Sequence, residues 1–108
     1  VAHCYNVHPA SAPLARQLEV IHPFQQPAVV VRWMLGRGLE YVAAKERYEP
    51  FDRLVDEDLP SRDLIARTVL DATLAERDAF VIANNKAEGS APLTLFRLAE
   101  RIASWETR

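Results

Sequence analysis

At 108 residues the chain has room for one small domain, and about 60–70% of its unfolded surface would be buried on folding. Charged residues make up 26% and hydrophobic residues 49% of the sequence, which argues against disorder. A formal net charge of -2 provides no broad basic surface for nucleic acid, and no apolar run approaches the ~20 residues of a membrane span.

The cysteine and histidine content gives little support to redox or metal chemistry. Cys4 is the single cysteine, so no internal disulfide can form, and this predicts a reducing, cytoplasmic location. A lone cysteine in a strand is more often a small buried hydrophobic residue than a nucleophile. His3 and His8 lack spaced partners for a metal and are expected to cap or pack. The sequence identifies no cofactor.

The first predicted elements are a strand and a helix. A short strand is expected at residues 2–7, ending at His8 and Pro9. Ser11 and Pro13 then predict a helix start, because a hydroxyl can cap an unpaired amide and proline lacks an amide hydrogen that the first turn does not use. The helix is expected to end before Pro23, which cannot continue the hydrogen-bond ladder.

The strongest strand signal lies at residues 28–35, where three consecutive valines precede Arg32. A strand that is apolar at consecutive positions is expected to be covered on both faces, as in parallel sheets flanked by helices. Gly36 and Gly38 end this strand, and a short helix is expected within residues 39–48.

An acidic loop at residues 50–60 leads to a third predicted helix, which Ser61 is expected to cap and Asp63 to stabilise from its first turn. A third strand follows at residues 80–83, and Ser90 begins the last helix. Strands that alternate with helices predict βα units and a parallel sheet, so the expected fold class is α/β.

Three parallel strands leave two unpaired sheet edges and apolar faces that need a cover. The cover is expected from other parts of a longer chain or from a second copy. We favour the first source, because Val1 lies almost within a strand. If the chain is a fragment, self-association is expected.

Residues 84–92 follow an apolar strand and resemble the carboxyl-terminal signature of the YecE-like family, also called domain of unknown function 72. Residues 4–6, 32–34 and 44–53 fit the same family pattern, so the resemblance extends over most of the chain. It implies that residues 1–108 form a single partial domain of about three βα units. This domain would be the carboxyl-terminal part of a (β/α)8 TIM-like barrel whose biochemical function is not established.

Active sites of such barrels lie where the strands end, often with an anion held at a helix N-terminus. The resemblance therefore implies a polar, anion-tolerant pocket for a small metabolite, phosphorylated or sugar-like. The expected catalytic residues are Glu88 and Lys86, and the expected ligand-binding residues are Arg32, Asn84, Asn85, Gly89 and Ser90. No metal site is expected.

Each expected site residue has a role and a structural alternative. Lys86 and Arg32 would supply positive charge, the first amides of the last helix would bind an anion, and Glu88 would act as general acid or base if burial raised its pKa. Alternatively, the two asparagines and Gly89 only build a tight turn, and Lys86 and Glu88 form a solvated ion pair.

The sequence is compatible with two functions, and the geometry of three side chains distinguishes them. The first is an enzyme-like pocket, and the alternative is a non-catalytic ligand- or protein-binding module, a partial barrel completed by another chain. If Arg32, Lys86 and Glu88 converge on one small molecule, catalysis is favoured; if they point apart, binding or structure is favoured.

Overall fold

Strands and helices alternate within residues 3–36 and 40–106, which a computed structural model of the chain describes. The elements in chain order are β1 (Cys4–Val7), α1 (Leu14–Val20), a 3-10 turn (Pro23–Gln25), β2 (Ala28–Trp33), α2 (Tyr41–Tyr48), α3 (Leu59–Leu74), β3 (Asp78–Ala83), α4 (Asn85–Glu88) and α5 (Ala91–Glu106). The predicted α/β class is confirmed. Predictions that fall on Ala2, Gly38 and Leu39 lie outside the described residues.

The three strands form one parallel sheet in the order β1-β2-β3. The register places Arg32 of β2 between Asn6 of β1 and Ile82 of β3. In the same way, Val30 lies beside Phe80 of β3. Because side chains alternate between the two faces of a strand, these five residues share one face of the sheet.

The opposite face of the sheet is buried beneath α1, α3 and α5, the helices that pack against the strands. Tyr5, Val29 and Trp33 are fully buried on this face. They belong to one core cluster with Ile65 of α3 and Leu98 of α5. Each fully buried apolar side chain of this size contributes about 1.5–3 kcal/mol, so this face is the main source of stability.

The face that carries Arg32 is largely uncovered by the described residues. Phe80 and Ile82 are 54% and 50% exposed, and Arg32 is exposed. Among the described residues, α1, α3 and α5 pack against the other face, so the second cover predicted for these strands does not come from the described part of the chain. We call the uncovered side the open sheet face.

The helix starts differ from the prediction in their capping residues. Pro13 is the N-cap of α1 and no side chain caps this helix, so Ser11 does not. In α3 the carboxylate of Asp58 accepts a hydrogen bond from the amide of Ser61 at 3.1 Å, so Ser61 lies in the first turn instead of capping it. The reason is Pro60, which fits the first turn and moves the helix start ahead of Ser61.

Candidate functional site

Because the three strands are parallel, their carboxyl ends lie at the same end of the sheet. The amide of Met34 donates to the carbonyl of Val7 at 3.1 Å, and the amide of Asn84 donates to the carbonyl of Trp33 at 2.9 Å. The predicted site residues after β3 therefore begin at the same edge at which β1 and β2 end, as expected for parallel strands.

The two asparagines of the predicted site hold the turn together. Asn84 is the N-cap of α4, and its side-chain oxygen accepts from the amide of Lys86 at 2.9 Å. The side-chain oxygen of Asn85 accepts from the amide of Ala91 at 2.8 Å. A one-turn helix thus replaces the predicted loop. The first amide of α5, which was expected to bind an anion, is already used by Asn85.

Gly89 and Ser90 also serve the packing of this turn. Gly89 has a φ of +132°, and a Cβ atom at this position would lie 2.4 Å from the carbonyl oxygen of Arg53. Ser90 is buried, and its carbonyl accepts from the amide of Thr94 at 2.9 Å. The backbone at Gly89 therefore approaches the loop after α2 too closely for any side chain.

Glu88 is fully buried and bonded on both carboxylate oxygens. Its Oε1 accepts from the hydroxyl of Thr94 at 2.7 Å, and its Oε2 accepts from the amide of Asp58 at 2.6 Å and from Nη2 of Arg62 at 3.1 Å. Its main-chain carbonyl accepts from the amide of Val55 at 2.8 Å. Glu88 thereby joins α4, α5, α3 and the acidic loop at one point.

Lys86 faces aromatic rings. Its Nζ lies 4.3 Å from the ring centroid of Tyr41 and 5.7 Å from that of Phe51. Both distances fit cation–π attraction, which contributes about 0.5–1 kcal/mol at exposed sites. The amine is held against α2 and the loop that follows it.

Arg32 has no acidic partner in the described part of the chain. Its Nη2 lies 3.7 Å from the sulfur of Met34, and its side chain is exposed on the open sheet face. Asn6 occupies the neighbouring position on β1. An uncompensated guanidinium next to an amide side chain can bind an oxyanion through paired N–H donors.

The structure does not bring Arg32, Lys86 and Glu88 together. Arg32 contacts a thioether, Lys86 two aromatic rings, and Glu88 a guanidinium, a hydroxyl and an amide. Among the residues that the structure describes, the three side chains have no partner in common. By the geometric criterion stated above, this arrangement favours binding or a structural role over catalysis.

A cleft of about 630 Å³ beside α2 was not expected from the sequence. Within it, the hydroxyl of Tyr48 donates to Asp56 at 2.8 Å, and Nη2 of Arg47 donates to the same carboxylate at 2.9 Å. Burial, reinforced by Asp56, raises the pKa of Tyr48 to about 12. The hydrogen bond from Arg47 holds the pKa of Asp56 below its usual range. The nine-residue separation of Arg47 and Asp56 follows no helical spacing, so the sequence offered no signal for this cluster.

No protein-family model matches the chain, and comparisons with curated proteins and with solved structures find no match. The YecE-like resemblance therefore stays a prediction. Among the side chains that the structure describes, no three of His, Cys, Asp or Glu are grouped so as to hold a metal ion. No helix in the described part of the chain combines the length and the apolar character that crossing a bilayer requires.

Proposed function

We propose that the chain is the carboxyl-terminal part of a YecE-like (β/α)8 barrel and binds a small anionic metabolite where its strands end. The barrel proposal is supported by the difference between the two faces of the sheet. A closed barrel of parallel strands carries helices on its outer face and packs its inner face with side chains from other strands. The sheet here has helices on one face, while apolar Phe80 and Ile82 lie exposed on the other.

The observation that carries the binding proposal is Arg32. It is the penultimate residue of β2, so it lies near the carboxyl edge, where barrel enzymes bind their ligands. It points to the open sheet face and has no carboxylate partner among the described residues. In a completed barrel an unpaired guanidinium at this depth requires an anion, because a buried charge without a partner is strongly unfavourable.

The proposed activity is binding and not catalysis. A substrate could reach the Glu88 carboxylate only by displacing Arg62, Thr94 or the amide of Asp58. Lys86 would have to leave the rings of α2 and its following loop. The catalytic roles of Glu88 and Lys86 therefore stay predictions that the observed contacts disfavour.

A second candidate is a module whose barrel is completed by another chain. It is favoured by the two outer strands, since β1 and β3 pair with no strand other than β2 among the described residues. Such unpaired edges together with exposed Phe80 and Ile82 would accept strands from a partner. In this case the metabolite site would be absent until the partner is bound.

The binding proposal predicts that Arg32→Ala weakens the affinity for inorganic phosphate and for glucose 6-phosphate about tenfold. The reason is that the variant loses a charge-assisted hydrogen bond to the anion. Arg32→Lys should lose part of the affinity, because an ammonium cannot form two parallel bonds. Arg16→Ala is the matched control, since Arg16 is an exposed arginine that pairs with Glu19 at 3.3 Å.

The affinities are measured by following backbone amide shifts of β2 in NMR titrations of the full chain. The proposal expects the control to bind phosphate as the unmodified chain does. Equal phosphate affinities for Arg32→Ala and Arg16→Ala would contradict it, as would shifts confined to residues remote from Arg32.

A further inference from the structure

The open sheet face carries two charged side chains of opposite sign, one towards each end. Because side chains alternate along a strand, Asp78 of β3 lies on the same face as Phe80 and Ile82, and therefore on the face of Arg32. Asp78 is exposed, as Arg32 is. Among the described residues, neither charge takes part in an ion pair.

These two charges are too far apart to pair within one copy of the chain. The register places Arg32 beside Ile82 and Asp78 beside Ala28, so the charged positions are four residues apart on neighbouring strands. Four residues span about 13 Å along a strand, which is beyond the reach of a direct ion pair. The face therefore needs a second molecule to neutralise each charge.

A two-fold rotation about the middle of the face brings the opposite charges together. The row of Cys4, Val30 and Phe80 crosses the sheet midway, with Arg32 two residues after it and Asp78 two residues before it. When two copies stack face to face about an axis along this row, their strands run antiparallel and the outer rows change places. Arg32 of each copy then lies beside Asp78 of the other copy.

The alternative two-fold axis, parallel to the strands, is disfavoured by the same charges. It would keep Arg32 of both copies at one end of the interface and Asp78 of both copies at the other end. Like charges that face each other across an interface repel, so this arrangement lacks the complementarity of the first. The charge pattern therefore selects one of the two ways in which the faces can stack.

We propose that a second copy of this chain covers the open sheet face, as a two-fold dimer with two reciprocal Arg32–Asp78 pairs. The apolar middle of the interface would come from Val30 and Phe80 of both copies, and Phe80 is 54% exposed in a single copy. This inference rests on the second candidate function, a sheet completed by another chain, and it names that chain.

The size of the face predicts a weak dimer. Three strands of six residues present a flat area of about 14 by 20 Å. This is roughly a third of the ~800 Å² that each partner buries in a standard protein interface. We therefore expect a Kd of about 50–500 µM at low ionic strength. The Kd should rise with salt, because salt screens the charge pairs.

Sedimentation equilibrium of the full chain in phosphate-free buffer measures this Kd. Asp78→Arg and Arg32→Asp should each weaken the dimer about tenfold or more, since each variant places two like-charged pairs in the interface. Glu46→Arg is the matched control for Asp78→Arg, because it changes the net charge equally at an exposed position of α2, outside the sheet. Its Kd should equal that of the unmodified chain.

A mixture of the two charge variants separates a lost contact from a lost fold. It combines a face that carries two carboxylates with a face that carries two guanidinium groups, so both ion pairs form in the heterodimer. We expect Asp78→Arg and Arg32→Asp to associate with each other at least as tightly as the unmodified chain associates with itself. Association that returns on mixing also shows that both variants are folded.

Three results would overturn the proposal. They are a monomeric chain up to about 1 mM, equal Kd values for Asp78→Arg and Glu46→Arg, and no heterodimer in the mixture of the two charge variants. Asp78→Arg keeps Arg32, so its phosphate affinity tests the metabolite site separately. A monomer whose Arg32 binds phosphate would contradict the dimer alone, and a dimer whose Asp78→Arg variant binds no phosphate would contradict only the metabolite site.

Discussion

Glu88→Ala is expected to lower the free energy of unfolding by about 3–5 kcal/mol, the usual effect of removing one partner from a buried ion pair. Among the described residues, the variant leaves Arg62, whose side chain is 8% exposed, with the half-exposed Glu57 at 3.2 Å as its remaining counter-charge. It also leaves the hydroxyl of Thr94 and the amide of Asp58 without their acceptor. Urea unfolding followed by circular dichroism measures the change.

Glu100→Ala is the matched control for this experiment, because Glu100 pairs with Arg97 at 2.8 Å on an exposed helix surface. Its unfolding free energy should stay within about 0.5 kcal/mol of the unmodified protein. Glu88→Ala should also cost less in an Arg62→Met background, because the buried charge is then absent. Similar midpoints for Glu88→Ala and Glu100→Ala would show that Glu88 does not hold the fold together.

Gly89→Ala is expected to destabilise the protein by about 3 kcal/mol or more, and Gly89→Val more strongly. An L-residue at a φ of +132° is strained by about 1–3 kcal/mol, and the new Cβ would overlap the carbonyl oxygen of Arg53 at 2.4 Å. That oxygen belongs to the backbone of a loop tied to Glu88 through the amide of Val55, so it cannot move freely. Thermal and urea unfolding measure the loss.

Ala75→Val controls for the addition of side-chain atoms outside a helix interior. Ala75 is exposed and has a φ of -87°, which any L-residue adopts. Its stability should change by no more than about 0.5 kcal/mol. If Gly89→Ala melted at the same temperature as Ala75→Val, neither the backbone angle nor the close approach to Arg53 would be limiting.

The strands and their direction were predictable because their signals are local. Three consecutive valines favour an extended strand over a helix, and the apolar run that begins at Phe80 is too short for a helix. Helices between successive strands then favour parallel pairing, since parallel strands need a crossover connection. From parallel pairing it follows that Arg32 and Asn84 lie near one edge of the sheet, which the register confirms.

The roles of the polar site residues could not be predicted, because they depend on contacts distant in sequence. Glu88 binds Arg62, which is 26 residues away, and the amide of Asp58, which is 30 residues away. No spacing rule relates positions on different elements. The sequence also could not decide whether Asp58 or Ser61 caps α3, because both residue types cap helices. The position of Pro60 in the first turn makes Asp58 the N-cap.

The apolar residues of the open sheet face were predictable, but the source of their cover was not. Val30, Phe80 and Ile82 are apolar, and apolar residues on consecutive strand positions usually have cover on both faces. The sequence therefore predicts that these side chains suit an interior, and the small number of strands predicts that their cover lies outside the three-stranded sheet. What provides that cover depends on contacts that no local pattern records.

Helices cover one face of the sheet and leave the other accessible, and the labelling rates of thiols placed on the two faces measure this difference. In a Cys4→Ser background, Ile82→Cys and Val31→Cys place a thiol on the open and on the covered face, where the native side chains are 50% and 1% exposed. We expect a thiol reagent to modify position 82 about a hundredfold faster than position 31, where labelling requires opening of the core. Equal, slow labelling at both positions, unchanged on dilution, would show that both faces are covered.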